Sequence, residues 1–341
     1  LLGCAEAVAA AAGAARAIDP GGDAAGRRER LLQLASTLGD DLRALGEPDD
    51  GRVAWVESGP SPLLRTAPVD VGAQLADLLF ATTTVVLTSA TLAVAGSFEP
   101  LAGRLGLPVG AEDEAGPEWT GLDVGSPFDH GANALLYCAS HLPDPRAPDH
   151  SAAMLEELDG LLAASGGRAL CLFTSRRAME TAALHLAGRS PFTVLVQDEL
   201  PRPVLARAFV EDETSILLAT RGFWQGFDAP GRSCSLVVLD RLPFGRPDEP
   251  LSQARREAAT RARRNPFATV DLPAAAVLLA QGAGRLLRTA TDRGVVAVLD
   301  PRLATGSYRW ALVNSLPPMR RTRDPQEARR FLAEVTASGQ S

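Results

Sequence analysis

Between Ala134 and Leu299 six short apolar runs recur: ALLYC (134–138), ALCLF (169–173), FTVLV (192–196), SILLA (215–219), CSLVVL (234–239) and GVVAVL (294–299). Most are separated by helix-length amphipathic segments. A strand that reads as a continuous apolar run is buried on both faces, which requires helices above and below a mostly parallel sheet. The alternation therefore predicts a doubly wound α/β fold. In such sheets ligands bind beyond the carboxyl ends of the strands, so the residues after each run are where function is sought.

The 341 residues suggest two domains, or one domain and part of another, and a 46% hydrophobic content supplies sizeable cores. No apolar run is long enough to span a bilayer, and the alanine-rich start lacks a basic leader, so the chain is expected to be cytoplasmic, with no membrane partner. Cys4, Cys138, Cys171 and Cys234 lie too far apart for a metal or cluster motif. Three of them fall in apolar runs, which predicts buried free thiols and no metal site. All 34 basic residues are arginine, and charge is uneven. Residues 1–240 hold 17 Arg against 32 Asp and Glu, whereas residues 241–341 hold 17 against 9, which makes the last third the candidate anion-facing part.

Residues 1–46 read as two helical stretches broken by DPGGD (19–23), and RVAWVES (52–58) as a short strand. A helix is expected from Val69 through Phe80, leading into a buried β-branched strand at Thr82 to Leu92. The Gly/Pro/Glu-rich stretch Pro108 to Trp119 is the candidate linker.

Several strand ends carry candidate chemistry. In TSATL, the hydroxyls of Thr88, Ser89 and Thr91 can bridge a carboxylate, a water and a phosphate, or cap the next helix. Thr174 and Ser175, after ALCLF, can face a phosphate with hydroxyls and amides, or form a plain N-cap. TRGFWQGFDAPG (220–231) crowds two glycines, Phe223, Trp224 and Asp228 after a buried strand; Asp228 can accept from a ribose hydroxyl or cap a turn. Arg255, Arg256, Arg261, Arg263 and Arg264 are expected on one helix, as a solvated face or as contacts to a phosphate backbone. In QGAGRLLR (281–288), helical steps of 0, 4 and 7 would place Gln281, Arg285 and Arg288 within about 60° of arc. Gly282 and Gly284 would let a ligand approach that face.

Taken together, TSATL, FTSR, TRGFWQGFDAPG, DRLPFGRPDEPL and QGAGRLLR resemble the later motifs of superfamily 2 helicases of the DinG-type, XPD-like branch, over roughly residues 67–318. The resemblance implies a complete second RecA-like motor domain (118–323), the end of a first one (51–110), a helical remnant of an arch-like insertion (1–50) and a C-terminal helix and tail (324–341). It implies an ATP-dependent DNA helicase moving 5′ to 3′ on single-stranded or forked DNA. ATP and Mg²⁺ are the implied cofactors, and DNA repair is an implied setting.

By the same resemblance Arg288 is the arginine finger, with Arg285 beside it and Gln281 organising the site. Ser89, Thr91, Gly226, Asp228 and Gly284 are implied at the nucleotide. Thr174, Ser175, Thr220, Phe223, Trp224, Arg255 and Arg256 are implied at DNA. The sequence departs from the family pattern at Gln225, where many members carry Glu, and it has no lysine for a GxxxxGK[ST] loop and no DExH-type segment. Those parts, and any iron–sulfur cluster, would belong to an N-terminal helicase portion supplied in cis or in trans. A non-catalytic RecA-like nucleic-acid-binding module and one chain of a split helicase are the alternatives.

Overall fold

The computed structural model describes residues 1–18, 24–46, 51–110, 116–223 and 234–338, and the chain divides into two compact units. The first comprises residues 1–84, 104–107 and 246–266; the second comprises residues 85–103, 108–245 and 267–341.

In the first unit the helices Leu2–Arg16 and Ala24–Gly46 precede an antiparallel pair, β1 (Arg52–Glu57) and β2 (Leu63–Pro68), in which Arg52 faces Pro68. The helix Pro250–Arg261 belongs to this unit, and Arg255 Nε donates to the carbonyl of Val69 at 3.0 Å. Gly106 holds φ +75° against Gly72, whose carbonyl oxygen would lie 2.2 Å from any added Cβ, so only glycine fits there.

The second unit is built on a seven-stranded sheet. Its strands are β3 (Ala134–Cys138), β4 (Ala169–Leu172), β5 (Val194–Val196), β6 (Ile216–Ala219), β7 (Leu236–Leu239), β8 (Gly294–Val298) and β9 (Arg320–Thr322). They lie in the order β5-β6-β4-β7-β8-β3-β9, and every pairing is parallel. Alternate residues of each strand enter opposite cores. On one face Leu170, Leu172, Val237 and Val296 meet the helices Arg202–Glu211 and Leu272–Ala283. On the other, Leu135, Cys171 and Val238 meet His150–Ser165, Arg176–Leu186 and Pro325–Ser338. The six apolar runs thus became six parallel strands because both of their faces are covered.

Two local expectations fail and a third is adjusted. The helix expected from Val69 through Phe80 begins at Gly72, α-helical over Gly72–Leu75 and π-helical over Ala76–Phe80. Thr82 to Leu92 forms no strand: it joins no β-ladder among the described residues, and Val86 and Leu87 are exposed. β-branched composition alone cannot hold a strand whose backbone lacks a neighbouring ladder. The arginine-rich helix stops at Arg261, so Arg263 (φ +55°) and Arg264 lie beyond it.

Candidate functional site

The carboxyl rim of the sheet gathers Thr174, Ser175, Thr220 and Phe223, which follow β4 and β6, whereas the QGAGRLLR segment runs into the amino end of β8. After β4, Ser175 adopts extended dihedrals and its hydroxyl accepts from Ala178 N at 3.1 Å, which makes it the N-cap of Arg176–Leu186. Thr174 is held from the neighbouring strand. Its N–H donates to Asp240 Oδ1 at 2.8 Å and its hydroxyl to Oδ2 at 3.2 Å. Asp240 follows β7 and is fully buried, and that burial pushes its pKa up to about 6 against the pull of Thr174 and Arg241.

After β6, Thr220 presents its N–H and its hydroxyl to Gln197 Oε1 at 2.7 and 3.0 Å. Gln197 follows β5 and is anchored by its own N–H to the Leu218 carbonyl. Beside it Asp198, at φ +73°, pairs with Arg176. Phe223 is buried at 3% exposure in the core, with the Arg202 guanidinium 5.0 Å from its ring centroid. The expected exposed stacking platform is therefore absent at Phe223: the short helical turn Arg221–Phe223 carries the ring under the sheet rim, where removing its apolar area from water is favourable. Trp224, Gln225, Gly226 and Asp228 lie outside the described residues.

QGAGRLLR takes a different shape from the one expected. The helix ends at Ala283, and Gly284 caps it with its N–H on the Ala280 carbonyl at 2.8 Å. Gln281 occupies the last helical turn, Arg285 the turn after it, and Arg288 a separate loop, so the three do not share one helical face. Two causes are visible. Consecutive Leu286 and Leu287 both enter the core, and Asp292 draws the chain into a loop by accepting from Arg288 N at 2.7 Å and Thr289 N at 2.8 Å. Thr289 Oγ1 adds a third bond to the same carboxylate at 2.6 Å.

The TSATL segment forms a compact hydroxyl turn in which Thr91 N donates to Ser89 Oγ at 3.3 Å. The Gln281 amide lies 3.5 Å from Thr91 Oγ1, bringing together two motifs 190 residues apart. Arg255 and Arg256, by contrast, serve their own unit: Arg255 is half-buried on the Val69 carbonyl, and Arg256 Nη1 donates to the Pro247 carbonyl at 3.1 Å. Sequence spacing did not single out Asp240, Gln197 or Asp292, although each orients a candidate residue. Cys138, Cys171 and Cys234 are buried and Cys4 is exposed. Among the described residues no group of three His, Cys, Asp or Glu side chains could hold a metal ion, and no helix is long and apolar enough to cross a membrane.

Residues 158–319 match the family model described as the helicase C-terminal domain. The chain is 44% identical over 313 residues to the ATP-dependent helicase DinG of Mycobacterium tuberculosis, covering 89% of this chain and 46% of the relative. It is 38% identical over 248 residues to the ATP-dependent DNA helicase YoaA of Escherichia coli, covering 73% and 38%. The chain thus spans about half the length, or less, of these curated relatives. A solved XPD helicase superposes with a TM-score of 0.57 at 15% identity, over 88% of this chain and 54% of that one, which establishes a shared fold. The Xpd4 structure of S. tokodaii gives 0.53 at 15% identity, over 87% and 58%. The sheet is accordingly the RecA-like sheet of such proteins, and the chain belongs to the family of DinG-type, XPD-like helicases, whose helicase C-terminal domain it carries.

Proposed function

We propose that the chain supplies the second-motor-domain half of an ATP-dependent DNA helicase that moves 5′ to 3′ on single-stranded or forked DNA. The contact between the Gln281 amide and Thr91 Oγ1 carries this reading, because it couples the hydroxyl segment to the segment that ends in Arg285 and Arg288. Such coupling is what a motor needs if nucleotide chemistry is to move a nucleic-acid contact. Arg288 acts as the finger: charge spread over γ-phosphoryl oxygens in the transition state is stabilised by a guanidinium, an effect worth about 10³ to 10⁵ in rate. Arg285 assists, Gly284 keeps the approach narrow, and Ser89 and Thr91 line the nucleotide side together with Gly226 and Asp228. Thr174, Ser175 and Thr220 face DNA with Trp224, and the buried Phe223 supports them from below.

ATP and Mg²⁺ are the cofactors of this reaction. A lysine-bearing phosphate loop and most Mg²⁺ ligands come from a first motor half, since this sequence contains no lysine. The test joins the chain to a P-loop motor half and measures ATP turnover with and without single-stranded DNA. DNA-stimulated turnover by the joined protein and none by the 341 residues alone is expected. Turnover by the chain alone, or indifference of the joined protein to DNA, overturns the proposal.

A further inference from the structure

A second feature of the sheet lies at its β3/β9 edge. A pocket of about 230 Å³ opens between the ends of those strands and the helix Arg309–Val313. Its floor is apolar, made by Leu136, Leu303 and Val313, while Arg309, Arg321 and Arg323 stand around it with Trp310. Trp310 is 52% exposed, an unusual state for the largest apolar side chain, and the guanidinium carbons of Arg309 and Arg321 lie 5.4 and 5.9 Å from its ring.

The charge around this pocket is unbalanced. Arg302 and Arg329 are paired with Asp300 and Glu157 at 2.7 Å, whereas no described carboxylate forms an ion pair with Arg309, Arg321 or Arg323. Arg309 Nη1 donates to the Gly306 carbonyl at 3.2 Å, yet its Nε is buried with no acceptor. Buried donors are ordinarily satisfied, and neighbouring cations without anions repel one another, so an arriving anion relieves both costs.

We propose that this pocket seats one nucleotide of a single-stranded nucleic acid, with its base against Trp310 and the apolar floor and its flanking phosphates on Arg321 and Arg323. The ligand is assigned on the reading of the chain as part of a single-strand DNA motor. Planar guanidinium forks match phosphate oxygens, and an aromatic face accepts any base. Cys138 ends β3, and Arg323 directly follows the end of β9, so the pocket shares the carboxyl rim with Thr174 and Thr220. In the order β4-β7-β8-β3-β9 four strand spacings of about 4.8 Å separate β4 from β9, so roughly 19 Å of rim connects the two places. A few nucleotides span that distance.

The test is anisotropy of labelled dT20 on the full chain across a salt series, with Arg321→Ala/Arg323→Ala and Trp310→Ala as variants. Losing two phosphate contacts is expected to flatten the slope of log K against log salt by about 1.4, because each contact on a single strand contributes about 0.7. Trp310→Ala is expected to weaken binding at least fivefold with the slope retained. Thermal melting checks that these surface variants remain folded. If the wild-type chain binds dT20 and both variants bind it equally well with the same slope, this pocket assignment fails while the motor reading stands. If the wild-type chain does not bind dT20, both fail. An acidic peptide ending in phenylalanine provides the other arm: loss of its binding in the arginine variant, with dT20 binding unchanged, would give the pocket to a protein partner and overturn the assignment.

Discussion

The backbone N–H of Thr174 donates to the buried Asp240 carboxylate at 2.8 Å, across neighbouring strands whose onward connections leave in opposite directions. From β4 the chain goes on to β5 and β6 on one side; from β7 it goes to β8 on the other. The winding of the sheet reverses between these two strands, the place where doubly wound sheets open a crevice for ligands. A single hydrogen-bonded pair thus joins FTSR to DRLPFGRPDEPL at that crevice.

Asp240 makes this junction sensitive to pH. Its pKa is raised from 3.8 to about 6 in the folded protein, so folding favours the protonated form. The stability this provides is fully present below about pH 4 and is lost as pH rises through 6, an effect of about 3 kcal/mol at 1.36 kcal/mol per unit. Asp240→Asn keeps an oxygen to accept from Thr174 N–H and removes the titration. Urea unfolding of both proteins should show the variant gaining on the wild type by about that amount between pH 4 and pH 7.5. A difference that stays flat with pH would mean the carboxylate ionises at no cost.

A second buried charge ties the last helix to the sheet. Glu157 accepts from Tyr137 Oη at 2.8 Å and from Arg329 Nη2 at 2.7 Å, and Gly160 leaves room for that guanidinium, since a Cβ there would sit 2.6 Å from Nη2. Breaking one side of a buried pair strands the other charge, at a cost of about 3–5 kcal/mol. Glu157→Leu should lower stability by that amount, and Glu157→Leu/Arg329→Leu should recover most of the loss in denaturant unfolding. Additive losses in the double variant would show that the two side chains act independently.

The legible parts of this fold were those written twice, once in each face of a strand. The six apolar runs announced their strands because both of their neighbours in space are apolar. β9 gave no such signal: two of its three residues are arginine, and as an edge strand it needs only backbone pairing to β3. Thr82 to Leu92 erred in the opposite sense, with strand-like composition and no ladder to join. At the carboxyl rim the places of Thr174, Ser175 and Thr220 after strands were legible, but their partners Asp240 and Gln197 were not, nor was Asp292 in the loop before β8. A lone polar residue has no periodicity, and its role arises from a partner tens of residues away or from a loop closing around it. QGAGRLLR was misread because the demand of the core for Leu286 and Leu287 overrides helical spacing.

The thiols offer a direct check on the core. Burial pushes Cys138 and Cys234 up to about 12 and raises Cys171 as well, while Cys4 is exposed. Thiolates are the reactive species, so iodoacetamide at pH 8 should label Cys4 in the native protein and all four cysteines only in denaturant. Rapid native labelling of Cys171, read by peptide mass spectrometry, would contradict the covered face of β4.

Arg288 is the sharpest test of the proposed site, because Asp292 fixes its backbone whatever its side chain. Arg288→Ala should therefore leave the loop in place and remove only the guanidinium. In a protein joining this chain to a P-loop motor half, turnover should fall by about 10³ to 10⁵ while ATP affinity stays within about tenfold. Arg288→Lys should not rescue turnover, since a compact ammonium lacks the planar fork that spans phosphoryl oxygens. Asp292→Ala acts differently: it releases the Arg288 and Thr289 N–H groups together, so turnover should fall less than in Arg288→Ala and thermal stability more. Single-strand-stimulated ATPase and melting measured on all three variants separate the finger from its support. Normal turnover in Arg288→Ala would remove Arg288 from the chemistry, and the γ-phosphate would then have to be met by another arginine, with Arg285 the next to substitute.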